Sequence, residues 1–145
     1  NSSLETVKLL LKNGANVNIK NNKGRTPLMV ASKYSKEYSS EIVKLLIKYG
    51  AEVDDYNIIS KHIIDDEEIF NLSMNTIDFD NIEKVKLIYS QINNNKSFSN
   101  LLLLNVLKQN YTDLQKMYIV DPMMDKEKYD NIIKLNNKSM TKRVN

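Results

Sequence analysis

Cysteine is absent from these 145 residues, and histidine occurs once. The first absence excludes disulfides and thiolate metal sites, and it suits a reducing, intracellular compartment such as the cytoplasm. His62 has no cysteine with which to share a metal. A Ser–His–Asp arrangement around it would have to be assembled from solvent-facing helices, so an ordinary surface or part-buried imidazole is expected. Glycine is nearly as scarce: Gly14, Gly24 and Gly50 are all there are. No phosphate-cradling loop of the G-x-x-x-x-G-K-S/T kind can be built from them, which argues against nucleotide hydrolysis. No apolar run is long enough to span a bilayer, Leu101–Leu104 being far too short, and no signal-peptide pattern opens the chain. Charge of one sign is also in short supply. The net charge of +3 is too mild to argue for nucleic acid, although residues 1–57 carry nine Lys or Arg against six Asp or Glu.

What is present is a repeat. Leu4–Asn18 (LETVKLLLKNGANVN) and Glu41–Asp54 (EIVKLLIKYGAEVD) align at an offset of 36 residues, with Glu5 on Glu41, Val7 on Val43, Leu9-Leu10 on Leu45-Leu46, Gly14-Ala15 on Gly50-Ala51 and Val17 on Val53. Self-similarity at this spacing signals units that bury their apolar faces by stacking on one another. Each copy reads as a helix stopped by glycine, which supplies the positive φ that such a stop often needs. An extended Ala15–Ile19 follows the first copy. Asn21-Asn22-Lys23-Gly24 is a turn signal, and Thr26-Pro27 suits the cap and first turn of a new helix.

Gly24-Arg25-Thr26-Pro27-Leu28-Met29-Val30-Ala31, followed by Glu41–Asp54, resembles the ankyrin repeat, which reads G-x-T-P-L-H-x-A and then a helix ending L-L-L-x-x-G-A-x-V-N. The resemblance covers Leu4–Asp54 and is similar in wording to the ankyrin arrays of large DNA viruses. It implies an all-α solenoid of helix–turn–helix repeats joined by short β-hairpins. Met29 stands where the family has His, and fills that volume as an apolar plug. The extra residues beyond the usual repeat length fall in 34–40, which predicts an enlarged loop between the two helices.

Beyond Asn57 the signature letters disappear. Asp80–Ile88 still overlays Ser40–Leu46, and Asn110–Ile119 repeats the pattern more loosely. Ile69–Ile77 and Leu101–Leu107 read as the first helices of these two degenerate pairs, the latter capped by Ser97 or Ser99. The division expected is a partial repeat at 1–20, whose missing first helix implies a fragment of a longer solenoid, and a clear repeat at 21–56. Degenerate repeats follow at 57–95 and 96–121, and then a capping helix over Met123–Leu135 with a frayed polar tail within 122–145. The core is expected from Leu9, Leu10, Leu28, Ala31, Val43, Leu45, Leu46, Val85, Leu87 and Ile88.

Other clusters read as structural. Asp65-Asp66-Glu67-Glu68 suits a helix start, where carboxylates meet the positive end of the macrodipole, better than a metal or acid–base site. The Asn93–Asn95 run suits turns. Lys20, Lys23 and Arg25 surround one turn, with Lys33 on the helix after it, and no interleaved aromatic suggests nucleic-acid stacking. Tyr34, Tyr38, Tyr49 and Tyr56 cluster around the clear repeat, and tyrosine suits binding surfaces. The resemblance implies binding through hairpin tips and the exposed side of the first helix. Matched residue by residue, those positions are Lys20, Asn22, Lys23, Arg25, Lys33, Tyr34 and Tyr56. The function expected is a non-catalytic, monomeric protein-interaction module, needing no cofactor or metal, that meets an acidic partner surface. The alternative is a substrate-recruiting arm of a larger enzyme or ubiquitin-ligase adaptor, or a separate helical domain over residues 58–145.

Overall fold

A computed structural model describes residues 2–33, 39–56, 62 and 66–144. Eight helices are described: α1 (Ser2–Lys12), α2 (Pro27–Lys33), α3 (Ser39–Lys48), α4 (Glu67–Met74), α5 (Ile82–Ile92), α6 (Lys96–Lys108), α7 (Asp113–Val120) and α8 (Lys126–Val144). The fold is an all-α solenoid. Helices α2 and α3 pack as a pair, α1 lies on α3, α4 on α6, and α5 on α7.

The 36-residue duplication is reproduced hydrogen bond by hydrogen bond. At the end of α1 the Gly14 N–H donates to Leu11 O (3.1 Å) and the Ala15 N–H to Leu10 O (3.0 Å). At the end of α3 the Gly50 N–H donates to Ile47 O (3.0 Å) and the Ala51 N–H to Leu46 O (3.0 Å). This paired closure satisfies carbonyls that the helix itself leaves free, and it requires a left-handed residue. Gly14 and Gly50 sit at φ 85° and 91°. A Cβ at Gly50 would meet open space, so only the backbone conformation resists substitution. Gly50→Ala is expected to cost about 1–2 kcal/mol, read as a lower urea midpoint at unchanged slope.

The copies are also tied to each other. The Asn18 amide donates to Gly50 O (3.2 Å) and accepts from the Glu52 N–H (2.9 Å), holding the two interhelical connections side by side. The expected β-hairpins are not strands: the described residues contain no β-strand. At the tip, the Asn21 N–H donates to Arg25 O (3.0 Å) and the Gly24 N–H to Asn21 O (2.9 Å), closing a turn too short to start a ladder. The enlarged loop expected at residues 34–40 lies largely outside the described residues.

One core runs from Leu11 in α1 to Ile119 in α7, so the degenerate half continues the stack of the clear repeat. Its centre is a column of rings. Phe70 stacks on Phe98 (centroids 4.2 Å apart, planes 5° apart) and meets Tyr56 edge-on (5.8 Å, 84°). Leu28, Val43, Leu46, Val85 and Ile88 are buried as expected, with Ala31 and Leu45 partly buried against them. Leu9, Leu10 and Leu87 are corrections, at 63%, 55% and 53% exposure. Successive helical residues turn by about 100°, so a pair such as Leu87-Ile88 cannot share one inward face. The core takes Val85, Ile88 and Ile92, and Leu87 points out. Leu10 does lie on the inward side, three residues after Val7, but no described helix covers it.

Helix starts follow capping chemistry. Asp66 caps α4 by accepting from the Ile69 N–H, with Glu67 and Glu68 in the first turn, the structural role expected of the acidic cluster. Asn95, rather than Ser97 or Ser99, caps α6 and moves its start to Lys96. Thr112 and Gln115 form a reciprocal capping box on α7. The C-terminal tail is not frayed from residue 136: α8 continues to Val144. A second, smaller core of Tyr118, Met124 and Tyr129, with Ile132 and Ile133 beside it, seats this helix. Lys86 fixes the adjacent chain end. Its ammonium lies 4.7 Å from the Tyr118 ring centre and donates to Tyr118 O and to Asp121 O (2.9 Å), capping the carbonyl end of α7.

Candidate protein-binding face

The turn after α1 gathers three exposed cations, Lys20, Lys23 and Arg25. Asn21 builds it: its side-chain oxygen accepts from the backbone N–H groups of Lys23 (2.9 Å) and Arg25 (3.0 Å). Gly24, at φ 73°, completes the reversal. Thr26 then caps α2 through the Met29 N–H (3.3 Å), with Pro27 opening the helix. Lys20, Lys23 and Arg25 therefore project from a turn fixed at both ends. Sequence reasoning read Asn21 as part of the turn signal and Asn22 as a contact residue; the structure gives Asn21 the turn-forming role.

Five of the seven expected contact residues are exposed in this region: Lys20, Asn22, Lys23, Arg25 and Lys33. Asn22, Lys23, Arg25 and Lys33 line one notch of about 380 Å³, beside Asn21 and Val30. Lys20 and Arg25 face a second, apolar hollow on the α1 side, so Arg25 stands between the two. Among the described residues no carboxylate forms an ion pair with these cations. Lys8, Lys44, Lys84 and Lys126 are instead paired with Glu5, Asp66, Asp54 and Glu83. Tyr34 and Tyr38 lie outside the described residues.

Tyr56 is a correction. It is fully buried, and its hydroxyl donates to Ser73 O (3.1 Å) while its ring packs on Phe70. Aromaticity alone did not separate a contact tyrosine from a core one. Burial pushes its phenol up to about 12. An unfolded chain ionises this group near 10, whereas the folded chain keeps it protonated. Its contribution to stability is thus complete below pH 10 and is lost between pH 10 and 12, at about 1.4 kcal/mol per pH unit. In phenolate absorbance at high pH the most delayed tyrosine should vanish in Tyr56→Phe.

His62 is a structural tie. Its Nε2 lies 3.1 Å from Ser32 O, to which it donates, and its Nδ1 lies 2.9 Å from Ser40 Oγ, joining the end of α2 to the start of α3. Among the described residues no group of three or more His, Asp or Glu is placed to hold a metal ion, and no helix is long and apolar enough to cross a membrane.

Duplicated helices closed by glycine, stacked through one core and crowned by exposed turns, define a helical-repeat protein. Residues 1–57 match the family of ankyrin repeats (3 copies), so this part of the chain carries ankyrin repeats. It is similar to an ankyrin repeat protein of Acanthamoeba polyphaga mimivirus, with 34% identity over 119 residues, covering 72% of this chain and 20% of that relative. The chain thus spans about a fifth of the length of the relative it matches. No solved structure matches it.

Proposed function

We propose that the chain is a non-catalytic module that binds an acidic surface of a partner protein, as a monomer inside the cell, through the Lys20–Arg25 turn and the outer side of α2 around Lys33. The observation that carries this reading is the set of exposed cations without a carboxylate partner among the described residues, on a turn that Asn21 and Gly24 hold in one shape. Ankyrin repeats generally mediate protein–protein interaction, which supports the class of partner. A preordered surface loses less conformational entropy on docking than a mobile one. The same reading divides the stack into a partial repeat at 1–20, the binding repeat at 21–56, supporting repeats at 57–95 and 96–121, and a cap at 122–145. The test is crosslinking capture from cell extract with the chain and with Lys20→Glu/Lys23→Glu/Arg25→Glu. A protein held by the first and lost by the second, crosslinked at residues 20–33, supports the reading. A partner held equally by both sinks it.

A further inference from the structure

Between α4 and α6 the structure opens a polar groove of about 600 Å³, lined by Glu67, Glu68, Asn71, Asn75, Asn105 and Lys108. It lies within the stack, since α4 also packs on α3 and α6 on α5. Phe70 stacks on Phe98, and one turn further along α4 the Met74 sulfur lies 3.6 Å from the Asn105 amide, so the two helices run in the same direction. Glu67 and Glu68 in the first turn of α4 and Lys108 in the last turn of α6 therefore stand at opposite ends of the groove. Among the described residues no ion pair engages these three side chains, and no hydrogen bond engages the side chains of Asn71 and Asn75. Both amides are exposed. Asn105 is half-buried, and its Nδ2 already donates to Leu101 O (3.0 Å), which leaves its oxygen to accept.

We infer that this groove binds an extended segment of a second protein, with Lys or Arg at the start of α4, Asp or Glu toward Lys108, and peptide groups between them bonded to Asn71 and Asn75. The spacing carries it. Asn75 caps α4 with a helical backbone (φ −63°, ψ −18°), so it shares a face with Asn71, about 6 Å further along the axis. Alternate residues of an extended chain repeat at about 6.8 Å. Each carboxamide holds a donor and an acceptor. Asn71 can therefore meet the N–H and C=O of one residue, and Asn75 those of the residue two further on. A helical ligand fits poorly, because its backbone groups bond within the helix and offer the amides nothing. From Glu67 to Asn75 the axis rises about 12 Å, the length of about four extended residues. The opposite charges at the two ends fix which way such a segment lies. The inference shares with the reading above only the class of partner. The basic turn meets an acidic surface, whereas the open carboxylates here call for a cation, so a separate protein fills the groove and the chain joins the two.

The test uses the whole 145-residue chain and a fluorescent, end-blocked peptide with the centre Arg-Val-Thr-Glu, whose β-branched residues favour extended backbone. Saturable one-to-one binding is expected in fluorescence anisotropy. Asn71→Ala/Asn75→Ala, at exposed positions, should weaken it at least tenfold with unchanged circular dichroism. Glu67→Gln/Glu68→Gln should weaken it about fivefold and flatten its dependence on salt. The same peptide with alternate backbone nitrogens methylated loses donors but keeps its side chains, and should bind at least tenfold more weakly. Replacing its Arg by Glu should weaken it to a similar degree. No saturable binding, or binding that ignores either Asn71→Ala/Asn75→Ala or the methylation, would overturn the inference. The two readings fail separately. Lys20→Glu/Lys23→Glu/Arg25→Glu should leave the peptide's affinity unchanged, and a loss there would overturn the groove as its site. Asn71→Ala/Asn75→Ala should in turn leave capture at the basic turn intact.

Discussion

Phe70→Ala should lower the stability of the whole chain by about 3–5 kcal/mol, the usual cost of emptying a buried aromatic site. Phe70 has no exposed surface and lies between the Phe98 ring and the edge of Tyr56. Its removal opens a cavity and breaks both aromatic contacts at once. Typical domains are stable by only about 5–15 kcal/mol, so roughly a fifth or more of the total is lost. The location of the loss matters more than its size. Phe70 belongs to α4, Phe98 to α6, and Tyr56 follows the second copy of the duplicated segment, so the column links the clear repeat to the degenerate half. In urea the backbone signal and the tyrosine fluorescence should move together to a lower midpoint. Two transitions, of which only one moves, would show residues 66–144 to be a separate folding unit and would restore the reading of a distinct second domain.

Reversing Lys20, Lys23 and Arg25 together should reduce affinity for the captured partner about ten- to hundredfold. An exposed ion pair contributes about 0.2–1 kcal/mol. Three losses, with repulsion in their place, sum to roughly 1.5–3 kcal/mol, and each 1.4 kcal/mol is tenfold. Rim charges act mainly on encounter, so the loss should appear chiefly as slower association and should shrink as salt is added. Stability should change by less than about 0.5 kcal/mol, because none of the three side chains is buried. The paired measurement is an association-rate titration at low and high salt beside a urea curve. A reversed variant that binds normally would mark the turn as merely solvated.

The duplicated segment was the legible part of the sequence. Leu–Gly–Ala–Val at fixed spacing specifies a helix, its closure and the next extended stretch, and the structure repeats those hydrogen bonds 36 residues apart. The degenerate half was legible as periodicity but not in its boundaries. Asn95 displaced the serines as the cap of α6, and α8 ran through a polar tail whose Asn136-Asn137 pair favours turns. Facing was harder to read than secondary structure. Leu9 and Leu10 are consecutive leucines in a repeat motif, yet both are exposed, because the covering of a helix face depends on neighbouring helices that one sequence window does not contain. Tyr56 failed for the same reason: its partners, Phe70 and Ser73, lie 14 and 17 residues on, within a stretch that carries no repeat signature. Of the binding face, the cations were visible as a cluster.

The most direct measurement of the central claim is hydrogen–deuterium exchange of the chain with and without its captured partner. Slowed exchange confined to residues 16–33, spanning the turn, its flanks and α2, is the result the account predicts. Protection confined to residues 113–144, with the Lys20–Arg25 turn unchanged, would contradict it and move the recognition surface to the far end of the stack.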